Sequence, residues 1–224
     1  MEAANIGGRE ADVAPAADPT RAGGWSPADP GPLGLAAFAG TTFMLSLINS
    51  GLVGTQKLPG GGLLPMVAGL ALAYGGIAQL VAGIWEFRTG NTFGAVAFTS
   101  YGAFWISFYF LVAFVLALVP KTEINSVIGL YLWTWSIFTV LMFFASLRTT
   151  GAVALVFLLL SITFILLAIG NSALVGTTAT TNGTIKLGGW VGLATAIAAW
   201  YTAIAAVMSS TFGRDILPVF PLGG

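Results

Sequence analysis

The sequence contains no cysteine and no histidine. Disulfides, thiolate zinc sites, iron–sulfur clusters, haem on His or Cys ligands, cysteine nucleophiles and Ser-His-Asp triads are therefore excluded. No cofactor or metal is expected, and an enzyme is the reading with least support. Charge is scarce as well: 7% of the 224 residues are Asp, Glu, Lys or Arg, against about 25% in a typical soluble domain. The eight acids and eight bases cancel, so there is no basic footprint and no nucleic-acid partner is expected. The charges are also uneven. Seven of them (Glu2, Arg9, Glu10, Asp12, Asp18, Arg21 and Asp29) fall in the first 32 residues. What remains cannot cover a water-facing surface, and 57% of the chain is hydrophobic. The composition is that of an integral membrane protein whose main partner is the lipid bilayer. Alternating strand patterns are absent, which argues against a β-barrel. No apolar h-region precedes residue 25, so no signal peptide is expected.

What is present is a set of six apolar stretches: Leu33–Val53, Leu63–Phe87, Phe93–Val119, Val127–Leu147, Ala152–Asn171 and Gly188–Met208. Each has about 20 residues or more, enough to cross a hydrocarbon core of roughly 30 Å. The expected fold is an all-α membrane protein, a six-transmembrane-helix bundle. Residues 1–32, which hold five of the ten prolines, read as a disordered tail. The transport domain spans 33–210, and 211–224 form a short C-terminal tail. Local signals separate the spans. Pro59 and Gly60–Gly62 divide the first two; Gly90 stops the second and Asn91 caps the third. Pro120 ends the third, Arg148 and Gly151 mark the turn into the fifth, and polar Thr177–Lys186 links the last two. Trp85 and Trp190 fall where interfacial aromatics do. Arg21, Arg88, Arg148 and Arg214 lie on one side, and Lys57, Lys121 and Lys186 on the other. This bias favours both termini inside the cell.

No charged residue lies near the centre of any span. A rhodopsin's mid-span lysine is missing, as are the mid-span carboxylates of an internal proton relay. Glu86, at the end of the second span, reads either as an interfacial carboxylate beside Arg88 or as a proton-linked group. Uncharged polar groups remain. Phe38, Thr41, Leu45 and Asn49 share a face of the first helix; Gly75, Gln79 and Glu86 share one on the second, Tyr101, Trp105 and Phe108 on the third, and Leu160 and Asn171 on the fifth. Helix–helix hydrogen bonding and aromatic core packing are the plain alternative for each. A second feature has two readings: Gly188, Gly192 and Ala196 on the last span permit close approach either inside the bundle or between subunits.

One internal match stands out. Asn49-Ser50-Gly51-Leu52-Val53-Gly54-Thr55 ends the first span, and Asn171-Ser172-Ala173-Leu174-Val175-Gly176-Thr177 ends the fifth. Both spans run the same way through the membrane, so the two Asn side chains should lie at similar depth. They are candidates for one polar path, by analogy with repeat-related sites in transporters.

Three blocks resemble the acetate uptake transporter family, which includes the bacterial succinate–acetate permeases. Asp29-Pro30-Gly31-Pro32-Leu33-Gly34-Leu35 is similar to its N-P-A-P-L-G-L signature, with Asp and Gly in place of Asn and Ala. Gly75–Gln79, Glu86-Phe87, Gly90–Gly94 and Ala97–Trp105 resemble its second block. Ala168–Asn171 and Gly189-Trp190 through Tyr201 resemble its third. The similarity runs from about residue 29 to Pro218. It implies six helices per subunit, a hexamer in the plasma membrane and a separate path through each subunit. It also implies passage of acetate and related small carboxylates, with succinate in some members, by an anion channel or a proton-coupled permease. The family's apolar constriction would fall on Phe38, Tyr101 and Leu160.

Phe38 and Leu160 each lie eleven residues before their Asn, so constriction and amide share a face, roughly 16 Å apart along the helix at about 1.5 Å per residue. The expected path has an outer polar vestibule near Asn49 and Asn171 and an apolar neck below it. With no buried cation, the carboxylate would be held by Thr41, Thr42, Asn49, Gln79, Asn171, the Trp105 region and the Tyr101 hydroxyl. Weak binding at several such groups suits rapid passage. An ammonium or water channel is the rival, but paired pore histidines and two Asn-Pro-Ala turns are both absent. A non-transporting sensor or scaffold, using residues 1–32 to reach a partner, is the other.

Overall fold

The first helix stops where its sequence offers a residue able to turn the backbone left-handed, and the second and last helices end the same way, at Gly90 and Gly213. The computed structural model of this chain describes residues 25, 27–53 and 64–222. Helix α1 is Gly31–Ser50. Helix α2 is continuous from Leu64–Leu70 through a π-helical Ala71–Ala78 into Gln79–Thr89. Helix α3 is Thr92–Phe110, ending in a π turn Leu111–Val115 and a 3-10 turn Leu116–Leu118. Then come α4 (Ile124–Ser146), α5 (Gly151–Ser172) and α6 (Gly183–Phe212). All six are long and apolar enough to cross a membrane. Arg21, Lys57 and the Pro59–Gly62 break lie outside the described residues.

Gly90 ends α2 with φ +81°, and the Asn91 side chain accepts from the Gly94 N–H to start α3. Both agree with the sequence signals. Arg148 and Gly151 bracket the turn into α5 as expected, and Thr150 caps the helix by accepting from the Val153 N–H. Helix α6 begins five residues earlier than Gly188, because Asn182 caps it through the Ile185 N–H; the polar linker therefore stops at Asn182 and Gly183–Lys186 are helical. The stretch expected as a disordered tail is partly packed: the Trp25 ring stands edge-on to Trp85 at 5.6 Å.

The internal repeat shows how one residue alters a helix end. Gly51 takes φ +78° and stops α1 immediately. Its counterpart Ala173 carries a Cβ that disfavours the left-handed region. It stays right-handed, and the chain turns left-handed only at Gly176, three residues later.

Packing inverts the soluble pattern. On α4 the exposed face is Leu130, Ile137, Leu141 and Phe144, whereas Gly129, Ser136, Thr139 and Ser146 are buried. Large apolar groups meet lipid and small or hydroxyl residues meet helices. Helices α1 and α6 approach closest: a Cβ on Gly189 would lie 2.1 Å from the Ser50 nitrogen, and one on Gly192 would lie 2.3 Å from Ser46 Oγ. Gly188 faces Leu167 of α5. The small-residue stripe of α6 thus seats it between α1 and α5, within the bundle. Helix α4 packs on α5, with the Trp133 indole donating to Ser172 Oγ at 3.1 Å.

Candidate functional site

Five helices surround an internal path, and α4 stands behind them. At one end a cavity of about 420 Å³ is lined by the start of α1 (Asp29, Gly31, Leu35), the end of α2 (Glu86), the start of α3 (Asn91, Phe93, Ala97, Phe98), the start of α5 (Thr149, Thr150, Val153, Phe157) and the end of α6 (Thr202, Ser209). Leu35, Ala97, Phe98 and Phe157 continue into a second space of only about 20 Å³, room for about one water. That neck is closed by Phe38, Gln79, Tyr101, Val156 and Leu160. The three residues expected to form the constriction therefore meet, from α1, α3 and α5, and Gln79 of α2 joins them. Among the described residues, no Lys or Arg lines either cavity.

The remaining path candidates divide. One turn beyond the neck, Thr41 and Trp105 converge on Gly75: a Cβ there would lie 2.6 Å from Thr41 Oγ1 and 2.9 Å from Trp105 Cδ1. The π turn of α2 depends on the neighbouring glycine, since a Cβ on Gly76 would meet the Ala71 carbonyl at 2.6 Å. π turns within helices are frequent at functional sites, and this one ends against Gln79. Buried Thr41 donates to the Ala37 carbonyl. Among the described residues, Thr42 Oγ1, Gln79 Oε1 and Trp105 Nε1 are buried without a hydrogen-bond partner, so the middle of the bundle holds two acceptors and two donors still to be satisfied, the Thr42 hydroxyl being both.

Asn49 and Asn171 lie beyond, near the other membrane face, and line neither cavity. The wide vestibule sits at the Glu86 end, opposite to the expected one. The cause is packing among the described residues. Gly189 clamps the Asn49–Ser50 backbone, and Gly170 clamps Ile185, whose nitrogen would be 2.9 Å from an added Cβ. The two amides also differ: Asn171 is buried and donates to the Leu167 carbonyl at 2.8 Å, whereas Asn49 is half-buried.

Glu86 departs from the interfacial reading. It is 2% exposed, and Thr89 Oγ1 and Asn91 Nδ2 both donate to its Oε2 at 3.0 Å. Its Oε1 has no hydrogen-bond partner among the described residues. Arg88 turns outward and donates to the Trp25 carbonyl. Asn91 thus links the two helices, capping α3 with its oxygen and holding Glu86 with its nitrogen.

Two features escaped sequence reasoning. Residues 214–222 form a strap over the vestibule. The Phe220 and Val219 carbonyls accept from the Gly151 and Ala152 N–H groups, and the Leu222 N–H donates to the Thr149 carbonyl. Tyr201 also donates to the Pro218 carbonyl, while Asp215, Leu217 and Val219 face the cavity. The second feature is Thr139 of α4, whose hydroxyl oxygen lies 2.9 Å from the Tyr101 hydroxyl. No pattern marks either one in advance: backbone bonds carry no residue code, and a mid-helix Thr usually bonds its own helix.

The sequence pattern of the GPR1/FUN34/yaaH family matches residues 14–223. The chain belongs to this family. It is similar to acetate permease A of Emericella nidulans (41% identity, 86% of this chain and 65% of that one). It is also similar to the succinate-acetate/proton symporter SatP of Escherichia coli K12 (41% identity, 86% of this chain and 95% of that one). The fold matches a solved structure of the bacterial acetate channel SatP with a TM-score of 0.73 and 38% identity, over 87% of this chain and 99% of that chain. The resemblance carried by the three blocks is thus confirmed. Within the family signature, Asp29 and Gly31 work together: Asp29 Oδ1 accepts from the Gly31 N–H at 2.9 Å, and a Cβ at Gly31 would lie 3.0 Å from that same oxygen. Asp29 thereby closes a turn just before α1, whose N-cap is Pro30 with no side-chain cap.

Proposed function

We propose that this chain moves acetate and related small monocarboxylates across a cell membrane, along a path inside each subunit, with succinate as a further candidate. The neck carries this reading: four helices bring Phe38, Gln79, Tyr101 and Leu160 around about 20 Å³ at the end of a 420 Å³ vestibule. A methyl group suits the apolar ring, and such a constriction resists a hydrated ion by dewetting. The carboxylate is handled by neutral donors, because neither cavity offers a cation. In the vestibule Thr150 has its hydroxyl proton uncommitted among the described residues, whereas Thr149 and Ser209 donate theirs to the Ser146 carbonyl and Asp215. Gln79 stands at the neck itself; past it come the Trp105 indole and Thr42, then Asn49 and Asn171, while Thr41 has its one proton committed to the Ala37 carbonyl. The relatives' names, acetate permease and succinate-acetate/proton symporter, support the substrate class.

Assembly as a hexamer, residence in the plasma membrane and cytoplasmic termini belong to the same proposal. Arg88, Arg148 and Arg214 gather at the vestibule end and Lys121 and Lys186 at the other, which supports the orientation. Glu86 takes the proton-linked role, since it is buried at the vestibule edge with one oxygen unpartnered. Labelled acetate uptake into proteoliposomes tests the function, and uptake no faster than in empty vesicles would sink it. In a planar bilayer at equal pH, acetate current identifies a channel. Electrically silent uptake stimulated by external acid identifies symport, and Glu86→Gln should then abolish the stimulation. Acid stimulation persisting in Glu86→Gln would remove Glu86 from coupling.

A further inference from the structure

We propose that Thr139 is the positioning residue of the neck: it fixes the Tyr101 ring across the path and draws the phenol proton away from the substrate. This rests on the reading of Phe38, Tyr101 and Leu160 as the constriction.

Helix α4 lines neither cavity, yet among the described residues it supplies the one directional contact made by the Tyr101 side chain. Thr139 is 0% exposed and Tyr101 is 2% exposed. Their hydroxyl oxygens are 2.9 Å apart. Proton counting fixes the direction of that bond. A threonine hydroxyl has one proton, and Thr139 Oγ1 donates it to the Trp135 carbonyl of its own helix at 2.7 Å. Thr139 Oγ1 can therefore only accept from Tyr101, so the Tyr101 proton is committed to α4. The sequence reading had counted that hydroxyl among the groups that could hold a carboxylate; the geometry spends its donor elsewhere.

The other neighbours of the Tyr101 ring are rings: Phe38 at 5.8 Å, Trp135 at 6.1 Å, Phe138 at 5.5 Å and Phe157 at 6.1 Å between centroids. Aromatic contacts of this kind tolerate a range of tilts, whereas a hydrogen bond weakens steeply with angle. Thr139 thus sets where the ring stands. Two consequences reach the path. The size limit of the neck depends on a ring held from behind. Tyr101 then offers the neck its ring carbons rather than its phenol donor, which weakens the hold on a carboxylate there. Passage needs binding weak enough to leave.

The test is the ratio of butyrate to acetate uptake in proteoliposomes made with purified protein. Thr139→Val keeps the shape and removes the acceptor. The ratio should rise about fivefold, the change that loss of one ordinary hydrogen bond carries. Thr139→Ser keeps the hydroxyl and should restore the wild-type ratio. In a Tyr101→Phe background, Thr139→Val should add nothing. If Thr139→Val does not fold, Tyr101→Phe alone removes the same bond and must raise the ratio. A wild-type ratio in Thr139→Val while Tyr101→Ala shifts it, or an equal Thr139→Val effect with and without the phenol, overturns the proposal. A wild-type ratio in Tyr101→Ala instead overturns the neck reading on which it stands.

Discussion

The vestibule and the neck are made by the same helices and differ in nearly every physical respect. The vestibule is wide, hydroxyl-rich and edged by Asp29, Glu86 and Asp215; the neck is lined by ring and aliphatic carbon, with Gln79 as its one polar member. Four shared residues join them. The difference follows from position along the helices. Helix ends leave backbone N–H groups and capping side chains that need polar company, and Asn91, Thr150 and the strap supply it. Mid-helix backbone is satisfied internally, so only side chains decide polarity there, and here they are aromatic. On the proposed reading the two regions have separate jobs, the vestibule governing access and the neck selection.

Breaking the neck gives the largest expected effect. Phe38→Ala combined with Leu160→Ala should raise acetate flux about tenfold, equivalent to about 1.4 kcal/mol off the barrier, and should admit longer acids. Each truncation of a buried side chain also costs about 2–5 kcal/mol of stability, so the thermal midpoint should fall alongside. Flux and substrate range both unchanged in reconstituted double-variant vesicles would mean that selection lies elsewhere.

The strap offers a sharper separation. Deleting residues 214–224 removes the three backbone bonds to Thr149, Gly151 and Ala152, each worth about 0.5–1.5 kcal/mol net. It also opens one wall of the vestibule. Uptake should change in its apparent KM, several-fold on the scale of about 1 kcal/mol, while the butyrate-to-acetate ratio stays at the wild-type value. A changed ratio would show that the strap reaches the neck and that the two regions are one filter.

The spans and the Gly90–Asn91 junction were legible in the sequence, because apolar run length and Gly or Asn at helix ends are local properties; the meeting of Phe38, Tyr101 and Leu160 was implied by the family resemblance and not by spacing. What was illegible depends on space left between helices. Glu86 sits at a span end in sequence, and only the fold shows Asn91 folding back to bury it. Asn49 and Asn171 share depth and neighbours in sequence, but Gly189 and Gly170 pull the helices together there and leave the open volume at the other end. Thr139 sits among aromatic residues on a helix that never touches the path.

The smallest effect concerns the half of the path beyond the neck, and it separates the two copies of the repeat. The Asn171 amide is committed to the Leu167 carbonyl, a local bond that a leucine forgoes at a cost of about 0.5–1.5 kcal/mol. Asn49 is half-buried at the same membrane face, and among the described residues it makes no such bond. Asn49→Leu should therefore lower acetate uptake about twofold, within the 0.5–1.5 kcal/mol of one polar contact, and leave the thermal midpoint in place. Asn171→Leu should do the reverse, shifting the midpoint with little change in uptake. Two variants with matching uptake and matching stability would show that the repeat is kept for packing at both ends. The far side of the neck would then be a passive exit, with all handling of the carboxylate on the vestibule side and at the neck itself.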